Sequence, residues 1–367
     1  MRVSTGSRGP SRNGGNIHVH TDIPFVPTHQ PLSKIQSSSL APLEIRAAVF
    51  QELIRLSPAA NYTDELVTGP GGLLSRGLLK THALAYGALP PTKEQRATLA
   101  ALLSKFVRTR FTSYARLHSH AELAGIPGFW QEPTGAVHIW KARNYLMPIL
   151  VIPYRDANGL IQACQIRLHQ DDLAADEKRY RWLASPSERR GTGSGTPIHF
   201  TFFPQKLSAG ATVVITEGAL KADTTVCFRP KANLIATSGV SCSHNQIIEA
   251  ARPYNVLIAF DADHRTNPQV CRQLSRLIAQ RIEDTRAHQQ SITTKGLSWD
   301  GPKGIDEAVR ANIKLTTLTV VQWRATLQDR PLAEVTNFWN QIGSILKVHG
   351  DLYPQLPKSK EAPDSSI

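Results

Sequence analysis

Cysteine is scarce in this sequence, with four in 367 residues, and Cys164, Cys227, Cys242 and Cys271 stand too far apart to form a C-x-x-C pair. That spacing excludes a zinc knuckle or a dithiol redox motif built on neighbouring cysteines, so no zinc is expected. Three of the four lie within apolar runs and read as reduced core residues. Long apolar runs are missing too. No stretch approaches the ~20 residues of a membrane span, and the opening MRVSTGSRGPSRNGG lacks the apolar centre of a secretory signal. A cytoplasmic protein with no membrane partner is expected. Acidic residues are the third shortage: 29 Asp and Glu against 42 Lys and Arg leave a formal charge of +13. Such a balance suits a polyanionic partner such as nucleic acid. A generally basic, soluble surface gives the same total, so charge by itself does not choose.

Apolar content is sufficient, at 41% of the chain, to bury a core and to divide into more than one domain. Residues 1–44 are rich in Ser, Gly, Pro, Asn and His with little periodic pattern, and read as a disordered basic leader. The histidines of HVHTD and PTHQP have no fixed frame on which to hold a metal. In LEIRAAVFQELIRL the apolar positions recur at helical spacing. Helices are also expected in TKEQRATLAALLSKFV and around SHAELAGI, which makes 45–125 a helical N-terminal region. From Leu146, MPILVIPYRDANGLIQACQIRLH predicts two strands about the turn RDANG. With KRYRWLASPSE, where basic residues alternate with aromatics, this segment forms a smaller basic mixed α/β domain over 126–207. Over 208–315, TVVITEG, NLIATSG and NVLIAFDAD each precede a helical stretch. Such alternation predicts an α/β domain with a parallel sheet flanked by helices. The remainder, 316–367, reads as C-terminal helices and a polar tail.

In parallel α/β sheets, ligands gather beyond the carboxyl ends of the strands. Two of those ends carry acids here. Asp261 and Asp263, separated by Ala262, would point to the same side of an extended chain about 6–7 Å apart. Glu217 ends the first strand, before Gly218, which permits a tight turn into the helix. Like charges at one rim require a cation, and oxygen ligands without His or Cys select Mg²⁺ or Mn²⁺ over zinc. Such an ion can polarise a phosphoryl oxygen and activate a hydroxyl. Each acid also has a structural reading. Glu217 suits the positive end of a helix dipole, and Asp263 can bond the loop DHRTNP, although Asn267 and Pro268 already make a better helix cap. Lys221 and Asp223, about one turn into the helix after Glu217, read equally as a mutual surface pair or as a substrate contact. Gly239 serves the backbone of the second strand-to-helix turn.

Glu217-Gly218 after one strand and Asp261-Ala262-Asp263 after a later one resemble the signature of the Toprim domain, shared by bacterial-type replicative primases, topoisomerases and some nucleases. PILVIPYRDANGLIQACQIRL and KRYRWLASPSE resemble the basic half of the bacterial primase core, and GPKGIDEAV resembles its late acidic motif. With TEGALKAD, FDAD, KGIDE and GIPGF, the chain resembles Toprim-like primase proteins of plasmids, phages and integrated elements over about residues 60–315. The resemblance implies that Glu217, Asp261 and Asp263 are catalytic and hold Mg²⁺ (or Mn²⁺) together with Asp306. It implies that Arg167, Lys178 and Arg179 hold template or nucleotide phosphates, with Tyr180 and Trp182 available for stacking. Lys221 and Lys303 would reach phosphate, Lys303 having the alternative of balancing Asp306.

The implied activity is primase-type synthesis of short primers on single-stranded DNA for a plasmid, phage or integrated element. Single-stranded DNA and nucleotides are the implied partners. A separate replicative helicase joins them, because no Walker-type glycine loop is present. The cysteine-bearing zinc module of bacterial primases has no counterpart in this sequence, so template selection differs or comes from a partner. Two rivals stand beside this reading: a metal-dependent Toprim nuclease, and a non-catalytic DNA-binding accessory protein of replication or recombination. Topoisomerase chemistry needs a tyrosine-bearing domain for which no segment has the size.

Overall fold

The computed structural model describes residues 39–119, 121–175, 177–201, 207–262 and 267–325, with backbone alone at 268–269 and 324–325. It adds the backbone of two short antiparallel strands, Ser7–Pro10 and Asn16–His18, inside the segment expected to be disordered. Asp263 and the helices expected beyond residue 325 lie outside the described residues.

The N-terminal module grows from α1 (Leu43–Leu56), whose Val49, Phe50 and Leu53 are fully buried on one face. This helix therefore begins two residues before the boundary read from the sequence. Next come β1 (Gly87–Leu89) and α2 (Lys93–Arg110). Thr92 caps α2, its hydroxyl accepting the Gln95 N–H at 3.2 Å. The expected hairpin forms from β2 (Ile149–Arg155) and β3 (Ile161–Arg167). Its turn is held by Asp156 Oδ1, which accepts the N–H groups of Asn158 at 2.9 Å and Leu160 at 2.8 Å, and by Gly159 at φ +83°. With β4 (Tyr180–Trp182) these strands make an antiparallel sheet in the order β1-β2-β3-β4.

One helix is displaced from its expected place. Residues around SHAELAGI form successive turns, and the short helix stands just upstream at Thr112–Leu117. The N–H groups of Ala121, Ala124 and Ile126 each bond the carbonyl three residues back. Gly125, at φ +75°, ends the run where any Cβ would run into Ser39 O and stand 2.9 Å from Ala41 N. Ala121, Leu123 and Ile126 are buried nonetheless, so the apolar spacing reports burial and not helix.

The second module is a six-stranded sheet built on β5 (His199–Phe200), β6 (Thr212–Glu217), β7 (Asn233–Thr237), β8 (Asn255–Ala259), β9 (Thr294–Ser298) and β10 (Thr316–Thr319). Its order is β10-β9-β8-β6-β7-β5, with the four central strands parallel and both edge strands antiparallel. The strand alternation covers both faces. Val213, Ile215, Val256 and Ile258 pack with α4 (His244–Ala251) and α5 (Pro268–Ala287). Val214, Leu234 and Ala236 pack with α3 (Ala219–Phe228) and α6 (Ile305–Arg310). A last helix, α7 (Val320–Ala325), follows β10. The α/β class with a helix-flanked parallel sheet, preceded by a smaller mixed module, is the observed architecture. The modules share a core, in which Tyr86, Leu150, Ile152 and Tyr154 meet Ala219 and Leu220 of α3.

Candidate active site

Glu217 is the last residue of β6, level with Thr237 of β7. Gly218 follows at φ +87° and donates its N–H to Thr237 O at 2.6 Å, which turns the chain directly into α3. A Cβ on Gly218 would meet nothing nearer than Lys221 Cβ at 4.0 Å, so the backbone conformation, and not space, requires glycine. On the other side Thr216 is level with Ala259, and its hydroxyl donates to Ala259 O at 3.0 Å. Glu217 and Asp261 therefore leave adjacent parallel strands at the same edge. In the next turn Thr237 Oγ1 accepts the Gly239 N–H at 3.0 Å and donates to Gly239 O at 2.5 Å. Gly239 thus serves that turn through both backbone groups.

Two lysines bracket the Asp261 carboxylate. Lys221 Nζ, from the first turn of α3, bonds Oδ1, and Lys303 Nζ stands 3.6 Å from Oδ2. The Ala262 N–H also donates to Lys303 O at 2.9 Å, so the GPKG segment lies against the end of β8. Asp306, in the first turn of α6, is buried, and its Oδ1 has no hydrogen-bond partner. Burial pushes the Asp306 carboxyl above the usual carboxylate range, partly offset by the charge of Lys221 and the backbone N–H of Glu307. A Cβ on Gly304 would run into Asp306 Oδ1 and stand 3.2 Å from Lys221 Cε, so the glycine leaves room for Lys221 beside both acids.

Asp223 is no partner of Lys221. It turns inward, where Tyr86 Oη donates to Oδ2 at 2.6 Å and His199 Nε2 to Oδ1 at 2.9 Å. His199 Nδ1 in turn accepts the Arg155 N–H at 3.1 Å, which assigns the proton to Nε2. Both surface readings of Asp223 give way to a buried bridge between modules, because α3 presents Lys221 and Asp223 to different neighbours.

The basic strands approach from the first module. Arg167, at the end of β3, is paired with Tyr180 of β4, and its guanidinium donates to Gly71 O. Burial lowers the Arg167 pKa; the charges of Arg76 and Arg179 act the same way, and Tyr180 opposes them. Lys178 and Arg179 are exposed, Arg179 bonding Gln170 Oε1. Tyr180 is 37% exposed, whereas Trp182 packs on Tyr154 with ring centroids 4.6 Å apart. Trp182 is therefore committed to the shared core and does not offer a stacking face like that of Tyr180. Arg76, which the sequence reading passed over, donates to Tyr180 Oη at 3.2 Å. Its only local signal is the glycine-rich turn GPGG before it.

Among the described residues, no three Asp, Glu, His or Cys side chains come together as a ligand group. The donor chemistry nevertheless fits a hard cation. Glu217, Asp261 and Asp306 offer only carboxylate oxygens at this edge, and Asp306 Oδ1 is a buried oxygen without a partner.

Fold and site define an α/β protein with carboxylates beyond a parallel sheet, joined to a basic antiparallel module. No protein-family model matches the chain, and no curated protein matches it. Solved structures similar in fold include three primase domains. The zinc-binding and RNA polymerase domains of Aquifex aeolicus primase are 12% identical, with 75% of this chain and 63% of that chain covered and a TM-score of 0.46. The E. coli primase catalytic core is 16% identical, with 87% and 86% covered and a TM-score of 0.45. The RNA polymerase domain of Mycobacterium tuberculosis primase DnaG is 15% identical, with 75% and 83% covered and a TM-score of 0.46. The chain thus spans less than two thirds of the Aquifex structure.

Proposed function

We propose that this protein is a Toprim-type, primase-like nucleotidyltransferase that makes short primers on single-stranded DNA in the replication of a plasmid, phage or integrated element. The observation that carries the reading is Lys221, which bonds Asp261 and electrostatically offsets Asp306 at the strand edge where Glu217 also ends. Glu217, Asp261 and Asp306, with Asp263, would hold Mg²⁺ or Mn²⁺, which when bound supplies positive charge to a phosphoryl oxygen and to an attacking hydroxyl. Lys221 and Lys303 bind and orient phosphate at the same edge. Arg167, Lys178 and Arg179 hold further phosphates, and the exposed Tyr180 ring offers a base a stacking face. Unwinding is left to a separate replicative helicase.

A second reading has one observation in its favour. Asp261 already has two lysine partners, which suits a DNA-binding accessory protein whose acids are structural. The test is synthesis by the purified protein on single-stranded DNA with labelled nucleotides and Mg²⁺ or Mn²⁺, beside a lane of end-labelled DNA. Short template-dependent products that fall to background in Asp261→Ala support the polymerising reading. Shortened end-labelled DNA without synthesis identifies a nuclease, and binding without either reaction identifies an accessory protein.

A further inference from the structure

Both oxygens of the Asp261 carboxylate face an ammonium group of this chain. Lys221 Nζ bonds Oδ1, and Lys303 Nζ stands 3.6 Å from Oδ2. The two lysines differ in how firmly they hold it. The Lys221 side chain is 19% exposed and that of Lys303 63%, so the Lys221 contact is the less screened by solvent and the stronger. In the metal-free protein this arrangement neutralises Asp261, and so relieves the repulsion among acids that end at one edge.

Lys221 is fixed at its base and free at its tip. Ala219 and Leu220 before it lie in the core shared by the two modules, and its carbonyl accepts the Thr225 hydroxyl at 2.9 Å. The backbone of α3 is thereby anchored. The side chain is an unbranched four-carbon stem, and Gly304 keeps the space beside it open, because a Cβ there would stand 3.2 Å from Lys221 Cε. The ammonium can therefore leave Asp261 without any movement of the helix. A divalent cation approaching Oδ1 seeks the same oxygen and meets a like charge at contact distance, so ion and ammonium compete for it.

We propose that Lys221 is a positioning residue that takes the place of the divalent cation at Asp261 in the metal-free protein and must withdraw before the ion is bound there. The proposal rests on the nucleotidyltransferase reading and deepens it. Metal uptake becomes a competition within the chain, in which Lys221 weakens the binding of free ion and keeps Asp261 ordered until the ion arrives.

The test is titration of the full-length protein with Mn²⁺ without nucleotide, the free ion being followed by electron paramagnetic resonance. Lys221→Met keeps the stem and removes the charge, Lys221→Arg keeps the charge, Lys303→Met removes the exposed neighbour, and melting curves establish which variants fold. The expected result is Mn²⁺ bound about tenfold or more tightly by Lys221→Met, the worth of one charge-assisted hydrogen bond, with Lys221→Arg within about threefold of the wild type. Lys303→Met should gain less than Lys221→Met, and adding Asp261→Asn to Lys221→Met should abolish the gain. Unchanged or weakened Mn²⁺ affinity in folded Lys221→Met overturns the proposal, as does a gain that survives Asp261→Asn or is matched by Lys303→Met. The wild type gives a second measurement that needs no folded Met variant: the nitrogen-15 signal of the Lys221 ammonium, assigned with Lys221→Arg, should move on saturation with Mg²⁺, and a signal that stays in place also overturns the proposal. Tighter Mn²⁺ binding by Lys221→Met in a protein that makes no primers keeps the inference and removes the polymerase reading. Primer synthesis by a wild type whose Mn²⁺ affinity Lys221→Met leaves unmoved does the reverse.

Discussion

Asp306 is a buried acid whose charged form is unfavourable in the fold. Its buried Oδ1 lacks a partner and its pKa is raised chiefly by burial, so the ionised form costs the folded state stability at neutral pH. The sign follows from linkage: a folded pKa above the unfolded one gives stability that is present at low pH and lost as pH rises through the folded value. Asp306→Asn removes that loss. The variant is expected to melt higher than the metal-free wild type at pH 7, by roughly 2 °C, while losing activity. Millimolar Mg²⁺ should raise the wild-type midpoint and have a smaller effect on the variant, both read by calorimetry. At this scale the acids were legible because a carboxylate closing an apolar strand is a local signal. The partners were not. Lys221 meets Asp261 across 40 positions and Tyr86 meets Asp223 across 137, distances over which no spacing rule operates.

Among the elements, the β6 to α3 corner concentrates the most constraint on one residue. Gly218 holds φ +87° with open space where a Cβ would stand, so Gly218→Ala is expected to cost about 1 kcal/mol from the backbone alone. Activity should fall further than stability, because Glu217 immediately precedes the strained position. Urea denaturation and the primer assay on the same preparation separate the two effects; equal, small changes in both would remove Glu217 from the site. The β2 and β3 hairpin was legible in RDANG because Asp156 and Gly159 perform turn chemistry within five residues. The turns at SHAELAGI were not, because what stops a helix there is Gly125 packed against Ser39 and Ala41, more than 80 positions upstream.

For the whole molecule, the question is whether two modules act as one. The shared apolar core and the Tyr86–Asp223–His199 bridge tie β1 and β2 to α3 and β5, and so set the distance from the basic strands to the carboxylate edge. Burial alone would push the Asp223 carboxyl up, but His199, the Tyr86 hydroxyl and the charge of Arg155 outweigh it and hold the pKa below the usual range. A depressed folded pKa means that this stability is present above the unfolded value, near 4, and lost as pH falls through the folded one. Tyr86→Phe removes one donor from a buried carboxylate and is expected to cost about 1–3 kcal/mol at pH 7. It should also move the onset of acid unfolding to higher pH, because the remaining partners hold Asp223 less strongly. If the bridge makes the modules one cooperative unit, fluorescence from Trp140 in the first module and Trp299 in the second should report coincident urea transitions in the wild type. Coincident transitions that persist in Tyr86→Phe would assign the coupling to the apolar contacts of Tyr154, Ala219 and Leu220 instead. Separation of the two would show that the buried acid, and not the oily seam around it, keeps the basic strands in register with the carboxylates.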